Sequence, residues 1–468
     1  MSKNEMMTAL KMLLDVDLST ANTLDGQSRI CNWLYNALLI EAKDLREKFI
    51  ATKEMELARI VYTERGLRNL LPKIKENKPF LKVVHSSPLK NTALRLSSAI
   101  QTHQKSKKGK RKGKVVNWPK FRSWKKAWFS LLYDEPNKGF KIEGDQLILS
   151  LGMGQDCKRR SVSVTIKEAH LLKEKEIRNL RIIKDDNQFF AIFTLKTIKP
   201  ELKPVSRVVA LDPNHKNLSY GVDAEGKAFE IAAPTWLKNH DKRIDELKSK
   251  RDRCKKKSSQ HQVVDENGNL TGKTYFQPSR RWTKYHNTLK RLLKKRREQT
   301  KTFLFTTANY LYSRYDCVGI GDYTPNGNGI SKPMRRAMNN QSLIGRFKEV
   351  LSWVALKSGK VFLEYEETGT TRTCHHCHYV VDEGIKPNIR MWACPTCKTI
   401  HNRDENAALN GLKKVLRDLY KKSEIVISQV SGSDLVPVSE RWAWCVLPSG
   451  VRSIPRRQNS EKIAAARN

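Results

Sequence analysis

VFLEYEETGTTRTCHHCHYVVDEGIKPNIRMWACPTCKTIHNRDENAALNGL, residues 361–412, is the stretch on which the reading of this chain turns. It opens on a strand-like run, VFLEYEE, and closes on NRDENAALN, which reads as the start of a helix. Between them lie two C-x-x-C pairs, Cys374 with Cys377 and Cys394 with Cys397, separated by sixteen residues. That spacing is the pattern of a zinc ribbon. Each pair forms a tight knuckle presenting two thiolates, and two knuckles close a tetrahedral site. A structural zinc there folds a segment too small to own a core. Disulfides or a redox pair are the alternatives, but a redox motif would not come twice. His375, His376 and His378 crowd the first knuckle as surface residues or substitute ligands. Two acidic residues, Glu367 and Asp404, flank the insert.

The remaining cysteines, Cys31, Cys157, Cys254, Cys317 and Cys445, are scattered and odd in number, as in a reducing cytosol. A length of 468 residues predicts two to four domains. The formal charge of +41 implies a polyanionic partner, because neutralised phosphates release counterions. No long apolar span or signal peptide is present in the sequence given, so a membrane partner is not expected.

In chain order, Ala9–Ser19 reads as a strand leading into a helix that begins near Thr20, with Ile30, Trp33, Leu34, Leu38 and Leu39 at helical spacing. Helical patterning continues to Leu71, and a further helix opens at Ser86 or Ser87. A basic loop follows, with Lys107, Lys108, Lys110, Arg111 and Lys112 as phosphate contacts or a solvated linker. In NWPKFRSWKKAWFS, Trp118, Phe121, Trp124, Trp128 and Phe129 interleave with Lys120, Arg122, Lys125 and Lys126. Rings among cations suit nucleic acid, and equally suit a hydrophobic face with snorkelling lysines. From Phe129 to Lys199 alternating residues and turn pairs predict an antiparallel barrel or sheet, and Pro200 and Pro204 mark a boundary.

Arg207–Ile231 reads as strand, turn, strand. Val208, Ala210 and Asp212 share one face, which brings Asp212 out at the end of a buried strand. Charged helices over 236–256 and 279–311 are expected on either side of a polar loop. The second carries Leu289, Leu292, Leu293, Phe303 and Leu304 on one side and Lys290, Arg291, Lys294 and Lys295 toward phosphates. A strand ending near Asp322, a helix over 343–357 and VFLEYEE complete the order. That order is the one of an RNase H-like sheet with insertions.

DPNHKNL, the TTRTCHHC/ACPTC ribbon and NRDENAALN resemble the RuvC nuclease domain of the TnpB family, transposon-encoded relatives of the type V CRISPR effectors. The resemblance is strong over 206–420 and looser in front, where NWPKFR resembles a segment preceding the family's wedge barrel. One departure stands out: most members end the middle strand in Glu-Asp-Leu, where this chain has Gly321-Asp322-Tyr323. One branch carries an equivalent glutamate before the ribbon, in a motif resembling E-x-x-TT-x-T-C, and Glu367-Thr368-Gly369-Thr370-Thr371-Arg372-Thr373-Cys374 fits it.

The resemblance implies a mixed α/β multidomain chain. Its parts would be an antiparallel β-barrel wedge domain (1–21 and 128–204), a helical recognition domain (22–127) and a RuvC-like nuclease domain (205–370 and 398–420). A zinc-ribbon insert (371–397) and a basic, flexible tail (421–468) complete it. It implies catalytic Asp212, Glu367 and Asp404, with Asp322 as the alternative to Glu367. Asp212 is expected to bridge two Mg2+ ions, each completed by one of the other two carboxylates. Arg403 is expected to meet the scissile phosphate or pair locally. The implied activity is RNA-guided DNA cleavage beside a short motif. Partners would be a transposon-derived or CRISPR guide RNA and double- and single-stranded target DNA, in a prokaryotic cytoplasm or nucleoid. One chain per RNA and a dimer both stand. A nuclease-inactive guided repressor and a transposase are the rival functions.

Overall fold

A computed structural model describes residues 5–111, 115–122, 128–154, 156–214, 217–255, 258–264, 270–323, 342–386, 388–428 and 436–456. The chain forms two compact units, Met1–Ile198 and Lys199–Asn468. No helix among the described residues is long and apolar enough to cross a membrane.

In the first unit, β1 (Glu5–Asp15) runs into the 35-residue helix α1 (Leu18–Thr52). Asp17 starts that helix by accepting the Thr20 amide at 2.6 Å. Leu24, Cys31, Leu34, Tyr35, Leu38, Leu39 and Ala42 form its buried stripe. Short helices α2 (Met55–Tyr62), α3 (Gly66–Asn69) and α4 (Leu71–Asn77) lead to α5 (Ser86–Lys107). The remaining strands are β2 (Ser130–Tyr133), β3 (Phe140–Glu143), β4 (Gln146–Met153), β5 (Arg159–Ile166), β6 (Glu176–Asp185) and β7 (Gln188–Ile198). They form one antiparallel sheet, ordered β2-β6-β7-β1-β5-β4-β3. The expected antiparallel strands are present. Their ends, β2 and β3, do not pair into a closed barrel among the described residues. Helices and sheet share one core, with Leu34, Leu96, Leu131 and Phe193 fully buried.

The second unit is built on β8 (Val208–Pro213), β9 (Ser219–Asp223), β10 (Lys227–Ile231), β13 (Cys317–Gly321) and β14 (Val361–Tyr365). The first three are antiparallel, and β13 and β14 run parallel to β8. The order β14-β13-β8-β9-β10 is the RNase H-like arrangement expected from the sequence. Helices α6 (Thr235–Lys255), α7 (Arg280–Arg314) and α8 (Ile344–Ser358) connect the strands, and α9 (Arg403–Tyr420) follows the ribbon. Every residue of β8 is buried because both faces are covered. Val209 and Leu211 pack with Phe303, Leu311 and Phe347, whereas Val208 and Ala210 pack with Leu412 and Val415 of α9.

Three expectations are corrected. The polar segment between α6 and α7 is a hairpin, β11 (Ser259–Val264) with β12 (Leu270–Gln277), instead of a loop. Leu293, expected in the apolar stripe of α7, is exposed; Leu289 and Leu292 pack with Ile244 and Leu247 of α6. The tail is not a flexible extension throughout. β17 (Glu440–Leu447) pairs in parallel with β10, and β18 (Gly450–Pro455) returns antiparallel to it. Trp444 is buried and stacks on Phe229 at 3.7 Å between ring centres, so apolar area drives the docking.

Candidate active site

Strand alternation sets the side on which the carboxylates emerge. Val208 and Ala210 face α9, so Asp212 does too. In β14, Val361, Leu363 and Tyr365 face the same side, and Glu367 follows them two residues past the strand end. Asp404 sits in the first turn of α9, which Asn402 caps by accepting the amides of Asp404 and Glu405 at 3.0 and 3.3 Å. The three groups therefore meet at the carboxyl ends of the parallel strands, where open α/β sheets place their ligands.

Asp212 is 6% exposed. Burial, then the charges of Glu367 and Asp404, push its carboxyl well above the usual range, and it shares a hydrogen bond with Glu367. Burial also raises Glu367 to about 7, with the Asp322 charge adding to the shift. Carboxyl oxygens are hard donors that could hold a divalent cation, although among the described residues only the four cysteines of the ribbon lie within ligand distance of one another as a group. Asp322 adjoins Glu367: its Oδ1 accepts the Glu367 amide at 3.0 Å, and its own amide donates to Tyr365 O at 2.9 Å. Gly321 occupies the α9-facing position at the end of β13. A Cβ built there would lie 3.3 Å from Glu367 Cδ and 3.0 Å from Pro213 Cδ.

Two residues on Asp404 were assigned no role from the sequence, although Asn214 lies within the DPNHKNL motif. Arg390 Nη1 donates to both of its oxygens at 2.9 Å, and Asn214 Nδ2 donates to Oδ2 at 3.0 Å. Arg403 lowers the carboxyls of Asp212 and Glu367 through its charge, and its buried Nε has no hydrogen-bond partner among the described residues. The adjacent Glu405 is held by Arg441 of β17 at 2.7 and 2.8 Å and by the Tyr220 hydroxyl at 2.9 Å.

The ribbon brings Cys374, Cys377, Cys394 and Cys397 together with all four sulfurs within 4.8 Å of one another. Cys374 to Cys397 is 3.7 Å and Cys377 to Cys394 is 3.5 Å. A tetrahedron with metal–sulfur bonds of about 2.3 Å has edges of about 3.8 Å, so the sulfurs fit a zinc ion. Strands β15 (Met391–Ala393) and β16 (Ile400–Asn402) carry the ribbon five residues beyond its expected end at 397. They place buried His401 Nε2 3.1 Å from Cys374 Sγ. His401 lies four residues after Cys397, a spacing that was the available clue. Of the three histidines singled out from the sequence, His375 binds Asn406 instead of a sulfur.

The expected nucleic-acid residues are distributed as follows. Lys107, Lys108, Lys110 and Arg111 are exposed at the end of α5, and Lys120 is exposed beyond it. Lys290, Arg291 and Lys295 are exposed on α7, and Lys294 is half-buried there. Lys112, Lys125 and Lys126 lie outside the described residues, as do Trp124, His215 and Lys216. Arg122 is half-buried and makes internal contacts: its guanidinium lies 3.8 Å over the Tyr35 ring and donates to Asn32 Oδ1 at 2.9 Å.

Fold and site define a class, an RNase H-like sheet whose acidic end is interrupted by a four-cysteine ribbon. Residues 345–411 match the family described as Cas12f1-like, TNB domain. The chain is 26% identical over 200 residues to TnpB-like protein L79 of Acanthamoeba polyphaga mimivirus, covering 42% of this chain and 34% of that protein. It is 32% identical over 143 residues to the putative transposase R186 of the same virus, covering 29% and 28%. These alignments span about a third of the length of the relatives matched. In fold the chain is similar to Cas12f1, solved with an sgRNA and target DNA, at TM-score 0.54 and 10% identity, covering 87% of this chain and 99% of that one. Over the matched segments the chain is similar to TnpB-like proteins, and in fold it is similar to Cas12f1.

Proposed function

We propose that this protein is an RNA-guided DNA endonuclease with a two-metal RuvC centre. The observation that carries the reading is the convergence of Asp212, Glu367 and Asp404, from three distant segments, on the α9 side of the sheet. In this reading the three carboxylates hold magnesium. Bound magnesium supplies Lewis-acid stabilisation of phosphate oxygens and a water of lowered pKa. The chain's own residues do the rest. Asn214 and Arg390 orient the Asp404 carboxylate, Asp322 fixes the Glu367 backbone, and Arg403 adds positive charge beside a phosphate.

The formal charge of +41 supports a guide RNA and a DNA heteroduplex as partners, since both are polyanions. The helical segment 22–127 would read the target flank, and the antiparallel sheet would act as the wedge. The test is to purify the full chain with its RNA, sequence that RNA and supply a matching double-stranded target with Mg2+. Cutting that requires the RNA and is abolished by Asp212→Asn supports the reading; cutting without RNA overturns it. Gly321 at the usual glutamate position favours a second reading, a guided binder without cleavage, which the same assay detects as RNA-dependent binding with intact DNA.

A further inference from the structure

We infer that Asn406, Asn410 and Lys414 are positioning residues, a ladder of donors that suspends the Glu367 turn from the helix bearing Asp404. The inference rests on the proposed metal-binding role of these carboxylates. It starts from a structural problem. β14 ends at Tyr365, so Glu367 has no strand ladder to hold it. A carboxylate on irregular backbone keeps a fixed distance from two partners only if other groups take up its peptide bonds.

Those groups lie on one face of α9, at successive four-residue steps. Lys414 Nζ donates to Glu366 O at 2.7 Å and Thr368 O at 2.8 Å. Asn410 Nδ2 donates to Thr370 O at 2.9 Å and Thr373 O at 2.7 Å. Asn406 Nδ2 donates to Thr373 O at 2.8 Å and Thr370 O at 3.2 Å, and its Oδ1 accepts the His375 amide at 3.0 Å. Thr370 passes the restraint on. Its amide and hydroxyl donate to Glu367 O at 3.1 and 2.8 Å. Asn406, Asn410 and Thr370 are all buried, so each unmade bond would leave a desolvated polar group.

Chemistry fixes which way the amides point. The neighbours of both Nδ2 atoms are carbonyl oxygens, which accept and cannot donate, so the NH2 groups must face them. Asn410 spends both amide hydrogens on two carbonyls. Aspartate there would remove both donors and set an anion against two oxygens at nearly unchanged shape. Beside it, a Cβ at Gly411 would lie 2.4 Å from the Tyr365 hydroxyl, and that hydroxyl donates to Leu211 O at 2.9 Å, one residue before Asp212. The helix thus reaches all three carboxylate-bearing segments.

The test uses the full chain with its co-purified RNA and iron(II) as the probe. Ascorbate and peroxide turn bound iron(II) into a source of hydroxyl radical that cuts the polypeptide beside it. Wild type is expected to give fragments ending near 212, 367 and 404, suppressed by Mg2+ and absent in Asp212→Asn. In Asn410→Asp and Asn410→Ala the iron(II) needed for half-maximal cutting should rise about tenfold, the low end for residues that orient metal ligands. In Lys414→Met, which alters only the exposed end of the ladder, it should rise by less than in the Asn410 variants. Zinc content should stay at one per chain, and excess Mg2+ should restore DNA cutting. Half-saturation unchanged in both Asn410→Ala and Lys414→Met overturns the ladder while leaving the metal centre standing. Wild-type fragments that persist in Asp212→Asn overturn the metal centre and the ladder with it.

Discussion

The carboxyl of Glu367 fills the space beside the bare α-carbon of Gly321. A Cβ on that glycine would lie 3.3 Å from Glu367 Cδ and 3.4 Å from its Cγ. Residue 321 ends β13 and pairs in register with Tyr365, so the middle strand and the segment after β14 offer one carboxylate position between them. A side chain at 321 would require Glu367 to give way by a few tenths of an ångström, so the two crowd one position.

A swap follows from that geometry. Glu367→Ala should lower DNA cutting at least a hundredfold. Asp322→Ala should cost about tenfold, through the lost acceptor for the Glu367 amide. Gly321→Glu alone should also impair cutting by crowding Glu367. Combined with Glu367→Ala, it should recover part of the activity. Rates of linearisation of a matched plasmid at saturating Mg2+ measure all four. Full cutting by Glu367→Ala with none by Asp322→Ala would transfer the role to Asp322.

The pH dependence of the metal-free protein has a definite sign. Glu367 is raised from 4.5 to about 7, and Asp212 is raised as well, so the folded state favours both protonated forms. Their contribution to stability is fully present below the unfolded values and is lost as pH rises through the folded ones. The melting temperature without divalent ions should therefore fall between about pH 5 and pH 8. Mg2+ should reverse that fall most strongly at the upper end. Glu367→Gln should flatten the profile. A wild-type profile identical to that of Glu367→Gln would contradict the crowding of these carboxyls.

Much of this site was legible because its determinants are local. Period-two alternation in VVALD places Asp212 on the face of Val208 and Ala210, and the ribbon spacing places four sulfurs together. The fit of Glu367 against Gly321 depends on the register of β13 with β14, which no single segment encodes. Arg390 reaches Asp404 only through the ribbon's return path. The β11–β12 hairpin was obscured by polar strands such as SQHQVV, which lack an apolar face. In the tail, proline, glycine and basic residues outweighed the short WAWCV run, although that run carries the buried anchor.

Zinc removal should act on fold before chemistry. Cys394 is buried, and Cys374 is held 3.1 Å from His401 Nε2. Cys394→Ser should abolish stoichiometric zinc and expose 371–402 to protease. Cutting should fall indirectly, because Asn406 and Asn410 lose the ordered carbonyls of Thr370 and Thr373. His401→Ala keeps all four sulfurs and should weaken zinc binding by about tenfold or more. Competition with a chromogenic chelator measures both. Unchanged affinity in His401→Ala would remove the histidine from the sulfur cluster's support.

The C-terminal strands should behave as part of the sheet. Trp444 is buried, stacks on Phe229 and meets Tyr310 edge-on at 4.9 Å. Replacing a buried tryptophan by alanine costs about 3–5 kcal/mol, and Trp444→Ala should lower the unfolding free energy of the second unit by that order in urea titrations. Arg441→Ala should produce a different signature. It leaves the buried ring in place but strips Glu405 of two charged hydrogen bonds in the first turn of α9. Stability should then fall less than in Trp444→Ala, while cutting falls more per unit of stability lost, because Glu405 adjoins Asp404. Deletion of 436–468 should combine both defects. A truncated chain that retains wild-type melting and cutting would make β17 and β18 dispensable and return the tail to the flexible extension its composition suggests.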